Sequence, residues 1–141
     1  MRAERFTTDN KELYIIAFSI RKVVFMEEQN TPLELEKEFE DEAIHYLVFN
    51  ESGEAMATAR WREVKAGIKL ERFAVLKEHR KKGVANFILN HILNEPEIQG
   101  RYVYLHSQAS ASEFYRKNGF QVMGNVFMEA GIEHYKMVFK G

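Results

Sequence analysis

The sequence predicts one α+β domain built on a mixed, mostly antiparallel sheet. Three observations carry that expectation. Three strand-like runs separated by turn residues fill 44–76, the pattern of an antiparallel meander. An amphipathic stretch, 84–93, separates the last of these runs from the next at 101–106, so those two strands are expected to lie parallel, joined by a helical crossover. No repeat, linker or low-complexity tract interrupts the 141 residues, a length that fits a single core.

The elements follow in order. A short first strand is expected at 4–8. Asp9, Asn10, Lys11 and Glu12 read as a capping box, with Asp9 as the N-cap and Glu12 reaching back. The helix behind it, 13–26, carries Ile16, Ile20, Val23 and Val24 on the face it would bury, and Pro32 marks a loop or a new helix start. Residues 33–42 set Glu34, Glu36, Glu38, Glu40, Asp41 and Glu42 against the single Lys37, with Leu35 and Phe39 four apart. That segment reads as a short amphipathic helix whose acids form either a solvated face or a wall attracting a cationic amine.

The meander comprises strands 44–49, 55–61 and 68–76, with turns at 50–53 and 63–67. Alternation in its last strand sends Lys69, Glu71, Phe73 and Val75 to one side and Leu70, Arg72 and Ala74 to the other. In the crossover helix Val84, Ile88 and Ile92 form one stripe, and Pro96 stops it. After the strand 101–106 comes a helix, 109–118, ended by Gly119 as its left-handed residue. Strands 120–126 and 133–139 close the chain around a turn at 128–131.

Composition excludes several classes of function. Hydrophobic residues at 45% and charged residues at 29% are ordinary for a folded protein. A net charge of -1 provides no basic field for nucleic acid. The absence of cysteine excludes disulfides, thiolate zinc sites and a cysteine nucleophile. His45, His79, His91, His106 and His134 show no H-x-x-x-H or H-x-x-E-H spacing, so no metal is expected. Neither Ser107 nor Ser110 stands in G-x-S-x-G. The first residues lead into no signal-peptide core, and no apolar run approaches the roughly 20 residues of a membrane span. A soluble cytoplasmic protein without a membrane partner is expected.

Chemistry concentrates where the meander ends. A strand, a short basic loop and a helix start in immediate succession aim unpaired N–H groups and the positive end of a helix dipole at one spot, which is an anion cradle. Gly83 permits close backbone approach, Ala85 keeps the first turn uncrowded, and Arg80, Lys81 and Lys82 add charge. The order is that of neither the P-loop nor the dinucleotide fingerprint, and an ordinary charged turn is the alternative.

Arg80-x-x-Gly83-x-Ala85, preceded by Arg72-Phe73-Ala74-Val75, resembles the coenzyme A loop of the GNAT superfamily of acetyl-CoA-dependent N-acetyltransferases. One strand later, Ala111-Ser112-Glu113-Phe114-Tyr115-Arg116-Lys117-Asn118-Gly119-Phe120 resembles the A-x-x-F-Y-x-x-x-G-F segment of the same superfamily. Phe25-Met26-Glu27-Glu28-Gln29 and the end of the chain, 120–139, are similar to small bacterial-type members. The resemblance covers nearly the whole chain. It implies a single N-acetyltransferase domain over 1–141, its sheet splayed at the parallel strand pair, with helices on both faces.

The resemblance also implies roles for particular residues. Phe73, Ala74 and Val75 would offer free backbone groups to the pantetheine arm of the co-substrate, an amide-rich chain able to act as an added strand. The pyrophosphate would lie on the N–H groups of Arg80, Lys81, Lys82, Gly83, Val84 and Ala85, with Gln108, Phe114 and Lys117 flanking arm and nucleotide. Tyr115 would be the general acid for the departing thiolate; the plain reading is a half-buried helix tyrosine. Glu71 would be the base, or else the partner of Arg60 or Arg62 on the neighbouring strand. Lys69 stands where some relatives carry the base, which argues against simple carry-over. Glu28, His45, Glu129 and His134 are the other polar residues expected near the acceptor. Without a cysteine, direct transfer in a ternary complex is expected, from acetyl-CoA to a primary amine on a small molecule or peptide. The rival reading is a non-catalytic acyl-CoA sensor or scaffold. An exposed strand or the aromatic-rich tail would serve a homodimer.

Overall fold

Residues 46–49 are buried and apolar on both faces of the sheet, and each face carries its own helix. The computed structural model describes residues 1–31 and 38–141. Its elements are β1 (Arg2–Phe6), α1 (Lys11–Arg21), β2 (Ala43–Phe49), β3 (Ala55–Val64), β4 (Gly67–Val75), α2 (Val84–Leu93), β5 (Val103–Gln108), α3 (Ser112–Lys117), β6 (Phe120–Val122), β7 (Phe127–Glu129) and β8 (Ile132–Phe139). The strands form one sheet in the order β1-β2-β3-β4-β5-β8-β6, with β7 also paired to β8. Only β4 and β5 run parallel, as the crossover through α2 requires.

In β2 the alternation is plain: Tyr46 and Val48 enter the core under α2, while Leu47 and Phe49 enter the core under α1. Val84, Ile88, Leu89 and Ile92 of α2 are all buried in the first core. Each such side chain contributes about 1.5–3 kcal/mol relative to exposure. Trp61 Nε1 donates to the Tyr46 hydroxyl at 2.8 Å, and that hydroxyl donates to Glu95 at 2.7 Å, so the polar atoms of Trp61 and Tyr46 are satisfied.

The parallel contact is short and depends on one glycine. Only Ile68–Val103, Lys69–Tyr104 and Leu70–Leu105 are paired; beyond them β4 and β5 separate, as the resemblance implied. Gly67 opens β4 at φ 153°, and a Cβ there would lie 2.3 Å from the Tyr102 carbonyl oxygen, which accepts the Ile68 N–H at 2.8 Å.

Several local expectations are corrected. The N-cap of α1 is Asn10, whose side chain accepts from the Leu13 N–H at 3.1 Å, because the Asn10 N–H is tied to the Thr7 carbonyl one turn earlier. Helix α1 ends at Arg21, and the chain continues as π-helical turns over Lys22–Glu28. Of the acidic segment, residues 32–37 lie outside the described residues, and Glu40–Glu42 form a single 3₁₀ turn. The turn placed at 128–131 tightens to Ala130 and Gly131, both at positive φ, and Met128 and Glu129 become part of β7.

The expected alternation of β4 fails at Arg72. Ala57 opposes Val75 and Thr58 opposes Ala74, but Arg60 opposes Glu71, so Arg72 and Phe73 together face Ala59. This is a β-bulge, and Arg72 sits in it at φ 58°. One extra residue shifts the parity. Phe73 and Val75 join Ile68 and Leu70 on the α2 face, whereas Glu71 stays with Lys69 and Ala74 on the face of α1.

Candidate active site

Where β4 and β5 part, a slot of about 500 Å³ passes through the sheet. Arg80, Ala85, Phe114 and Tyr115 line it towards the α2 face, and Arg62, Lys69, Glu71, His106, Gln108, Glu129 and His134 towards the other. Phe73, Ala74 and Val75 form its β4 edge, which no strand pairs past Leu70. A row of open backbone groups at the rim of a slot is a template for an extended, amide-bearing ligand.

At one mouth lie the loop and helix start where the sequence placed an anion cradle. Gly83 is the N-cap of α2 at φ 81°, a conformation that costs other residues energy. No side chain caps the helix, and the N–H groups of Val84, Ala85 and Asn86 have no intrahelical partner. Arg80 is exposed but tied down by hydrogen bonds. Its Nε donates to the Val75 carbonyl at 2.8 Å, and Nη2 lies 2.9 and 3.1 Å from the two carboxylate oxygens of Glu28. Lys81 and Lys82 are exposed; Lys82 faces a shallow depression beside Val84, outside the slot. Lys117 stands in the last turn of α3 and does not line the slot.

Gln108, at the end of β5, exchanges two amide hydrogen bonds with Gln29, at 2.9 and 3.4 Å. Tyr115 is 8% exposed and packed edge-on against Phe73, Phe114 and Phe120, with centroids 6.0, 5.0 and 5.7 Å away. Its hydroxyl has no hydrogen-bond partner among the described residues, and burial holds its pKa well above the usual phenol value. It is a proton donor kept protonated, facing the slot.

Glu71 is held on three sides. Arg60 Nε lies 3.1 Å away, Arg62 donates through Nε at 2.9 Å and Nη2 at 3.2 Å, and Lys69 Nζ lies 3.4 Å away. Burial pushes its pKa up, but the Arg62 hydrogen bonds and the three positive charges outweigh it and leave the carboxyl below its ordinary range. The ion-pair alternative describes this geometry. Arg60 also donates to Glu40 at 2.8 Å, and Glu40 pairs with the buried Arg21, so the cluster extends beneath α1.

The four residues expected near the acceptor separate. Glu28 belongs to the cradle through Arg80. His45 is removed from the acceptor end: it is 1% exposed, its ring stacks on Phe6, and Nε2 lies 3.0 Å from the Glu40 carbonyl. Glu129 and His134 do line the slot, and the hairpin of β7 and β8 brings them to His106. The His106 hydrogen bond holds the Glu129 carboxyl below its ordinary pKa. Sequence reasoning passed over Gln29 and His106, whose places depend on the π-helical turns and on β5–β8 register. Among the described residues no group of side chains is suited to a metal ion, and no helix is long and apolar enough to cross a membrane.

A family model, the acetyltransferase (GNAT) domain, matches residues 9–140. The chain is 36% identical over 132 residues to the uncharacterized N-acetyltransferase YjcF of Bacillus subtilis (strain 168), covering 92% of this chain and 94% of the relative. Two solved structures share the fold. An acyl-CoA N-acyltransferase from Pseudomonas aeruginosa superposes with a TM-score of 0.82 at 22% identity, covering 98% of each chain. A GNAT family acetyltransferase from Elizabethkingia anophelis, solved with acetyl-CoA bound, gives 0.69 at 15% identity, covering 97% of this chain and 94% of that one.

Proposed function

Because the chain belongs to the GNAT family of acetyltransferases, we propose that it moves an acetyl group from acetyl-CoA to a primary amine by direct attack in a ternary complex. The observation that carries this reading is the slot, with an uncapped helix N-terminus at one mouth and an unpartnered phenol beside it. The N–H groups at the start of α2, with Arg80, take the pyrophosphate. The free edge of β4 at Phe73 and Val75 takes the amide-bearing arm as an added strand, and Gln108 and Phe114 bound it on the opposite side. Tyr115 then stands where a departing thiolate needs a proton. The acetyl-CoA complex of the Elizabethkingia relative and the name of the Bacillus relative support the donor and the nitrogen acceptor. A non-catalytic acyl-CoA sensor would leave the Tyr115 hydroxyl without a use.

The test is a calorimetric titration with acetyl-CoA on the wild type and on Gly83→Glu, followed by a panel of primary amines. Gly83 has open space around its Cβ position, so the carboxylate meets no neighbour, and Gly83→Ala, which carries the same positive-φ strain without the charge, is the control. Saturable binding that is lost in Gly83→Glu, with acetyl transfer to at least one amine, is the expected result. A folded wild type that binds no acetyl-CoA would overturn the reading.

A further inference from the structure

The far side of the slot holds a cluster that neither the cradle nor Tyr115 uses. The hairpin β7–β8 sets Glu129 between two imidazoles. Glu129 Oε1 lies 3.1 Å from His106 Nδ1 on β5, and Oε2 lies 3.7 Å from His134 Nε2 on β8. Phe127 braces both rings, edge-on to His106 at 5.0 Å and stacked on His134 at 6.0 Å.

The partners of the two rings fix where their protons are. The Ile132 carbonyl can only accept, so His134 Nδ1, 2.8 Å from it, carries hydrogen. A carboxylate likewise only accepts, so His106 Nδ1 carries hydrogen. Neutral His134 therefore turns the lone pair of Nε2 towards Glu129 Oε2. Two acceptors face each other 3.7 Å apart, and only a donor group bridging them from one side, or a proton on His134, satisfies both.

Resting on the acetyltransferase reading above, we propose that the acceptor's ammonium group sits beside this pair and bridges it, and that His134 Nε2 is the base that deprotonates it. Glu129 hydrogen-bonds the same ammonium, and His106 is a positioning residue that fixes the Glu129 carboxylate. The other carboxylates are poorer candidates: Glu71 is surrounded by Arg60, Arg62 and Lys69, and Glu129 is held ionised by His106. His134 is 6% exposed and lines the slot that Tyr115 also lines.

The step balances. The ammonium gives one proton to His134 Nε2, the freed nitrogen bonds to the acetyl carbon, and the carbon–sulfur bond breaks. The Tyr115 hydroxyl protonates the thiolate and recovers a proton from the new amide nitrogen, while His134 returns its proton to solvent. The charged groups that bear on His134 are Glu129 from β7, His106 from β5 and, through Glu129, Lys69 from β4.

Two measurements test this. Long-range ¹H–¹⁵N correlation on the free wild type is expected to show His134 as the Nδ1–H tautomer with a bare Nε2 at neutral pH; the opposite tautomer overturns the proposal. With one amine that the wild type acetylates, His134→Gln is expected to lose 10²–10⁴-fold in kcat, the usual worth of a general base, with acetyl-CoA affinity unchanged by calorimetry. Glu129→Gln removes the carboxylate that would hold the ammonium and is expected to raise KM for the amine with acetyl-CoA affinity unchanged. An active wild type with an equally active His134→Gln overturns this proposal alone. A wild type that binds acetyl-CoA but acetylates no amine overturns the functional reading and this inference together.

Discussion

Arg80 Nη2 bridges the two carboxylate oxygens of Glu28, at 2.9 and 3.1 Å, in the loop that leads to the Gly83 N-cap of α2. Under the proposed function, the carboxylate of Glu28 thus occupies the guanidinium that an incoming pyrophosphate would need. Binding must exchange one anion for another. Both side chains are over a third exposed, so the pair itself is worth no more than about 1 kcal/mol. Glu28→Gln removes the competitor and its repulsion, and is expected to tighten acetyl-CoA binding about fivefold. Arg80→Ala is expected to weaken it. Calorimetry on the two variants checks both signs.

Tyr115→Phe keeps the aromatic packing against Phe73, Phe114 and Phe120 and deletes only the hydroxyl. The expected outcome is a kcat lower by 10²–10⁴-fold with acetyl-CoA affinity unchanged within about twofold. Because burial raises the Tyr115 pKa, the wild-type kcat should show no alkaline limb from this group below the ordinary phenol value of 10.0. Equal losses in turnover and affinity would remove the general-acid role.

Glu40 lies between Arg21 and Arg60, both 1% exposed, and accepts hydrogen bonds from each. Glu40→Gln leaves two buried guanidiniums short of charge and is expected to cost about 3–5 kcal/mol, read from urea unfolding. The exposed Glu38 is a control, with Glu38→Gln expected within about 0.5 kcal/mol of wild type.

Burial lowers the pKa of His45 below its ordinary 6.5. As pH falls through 6.5, the unfolded chain takes up a proton that the folded chain refuses, so stability declines from there downwards. Glu40 and Glu71 have depressed folded-state values, so their contribution is present above the ordinary 4.5 and is lost as pH falls below it. The melting temperature is therefore expected to fall in two stages on acidification. His45→Gln should flatten the first stage and leave the second, and differential scanning calorimetry across pH 3–8 separates them.

The parts of this molecule legible in its sequence are those encoded by contiguous residues. The basic loop, Gly83 and the start of α2 follow one another, so the cradle could be read directly; Phe114 and Tyr115 share one turn of α3 with Gly119 behind it. The parallel pairing of β4 and β5 followed from the helix between them. What could not be read depends on backbone irregularity. Arg72 adopts a left-handed conformation that its residue type does not announce, and the resulting bulge moved Glu71 to the opposite face from Phe73. The π-helical turns after Arg21 carried Glu28 to Arg80 and Gln29 to Gln108. His106, Glu129 and His134 come from three strands, and their meeting required a hairpin whose first strand looked like a turn.

Under the proposed function, the three residue pairs that join β4 to β5 have a further consequence for the donor. Two strands pinned at one end and diverging at the other make a wedge of fixed taper. Near Leu70 and Leu105 it is closed, and a single unbranched chain fits only where the separation approaches two strand spacings, about 9.6 Å. The wedge therefore acts as a gauge for girth. Branching close to the thioester would be rejected by width before any reacting group is reached, and slender acyl chains would differ only in how far they can advance towards the pinned end.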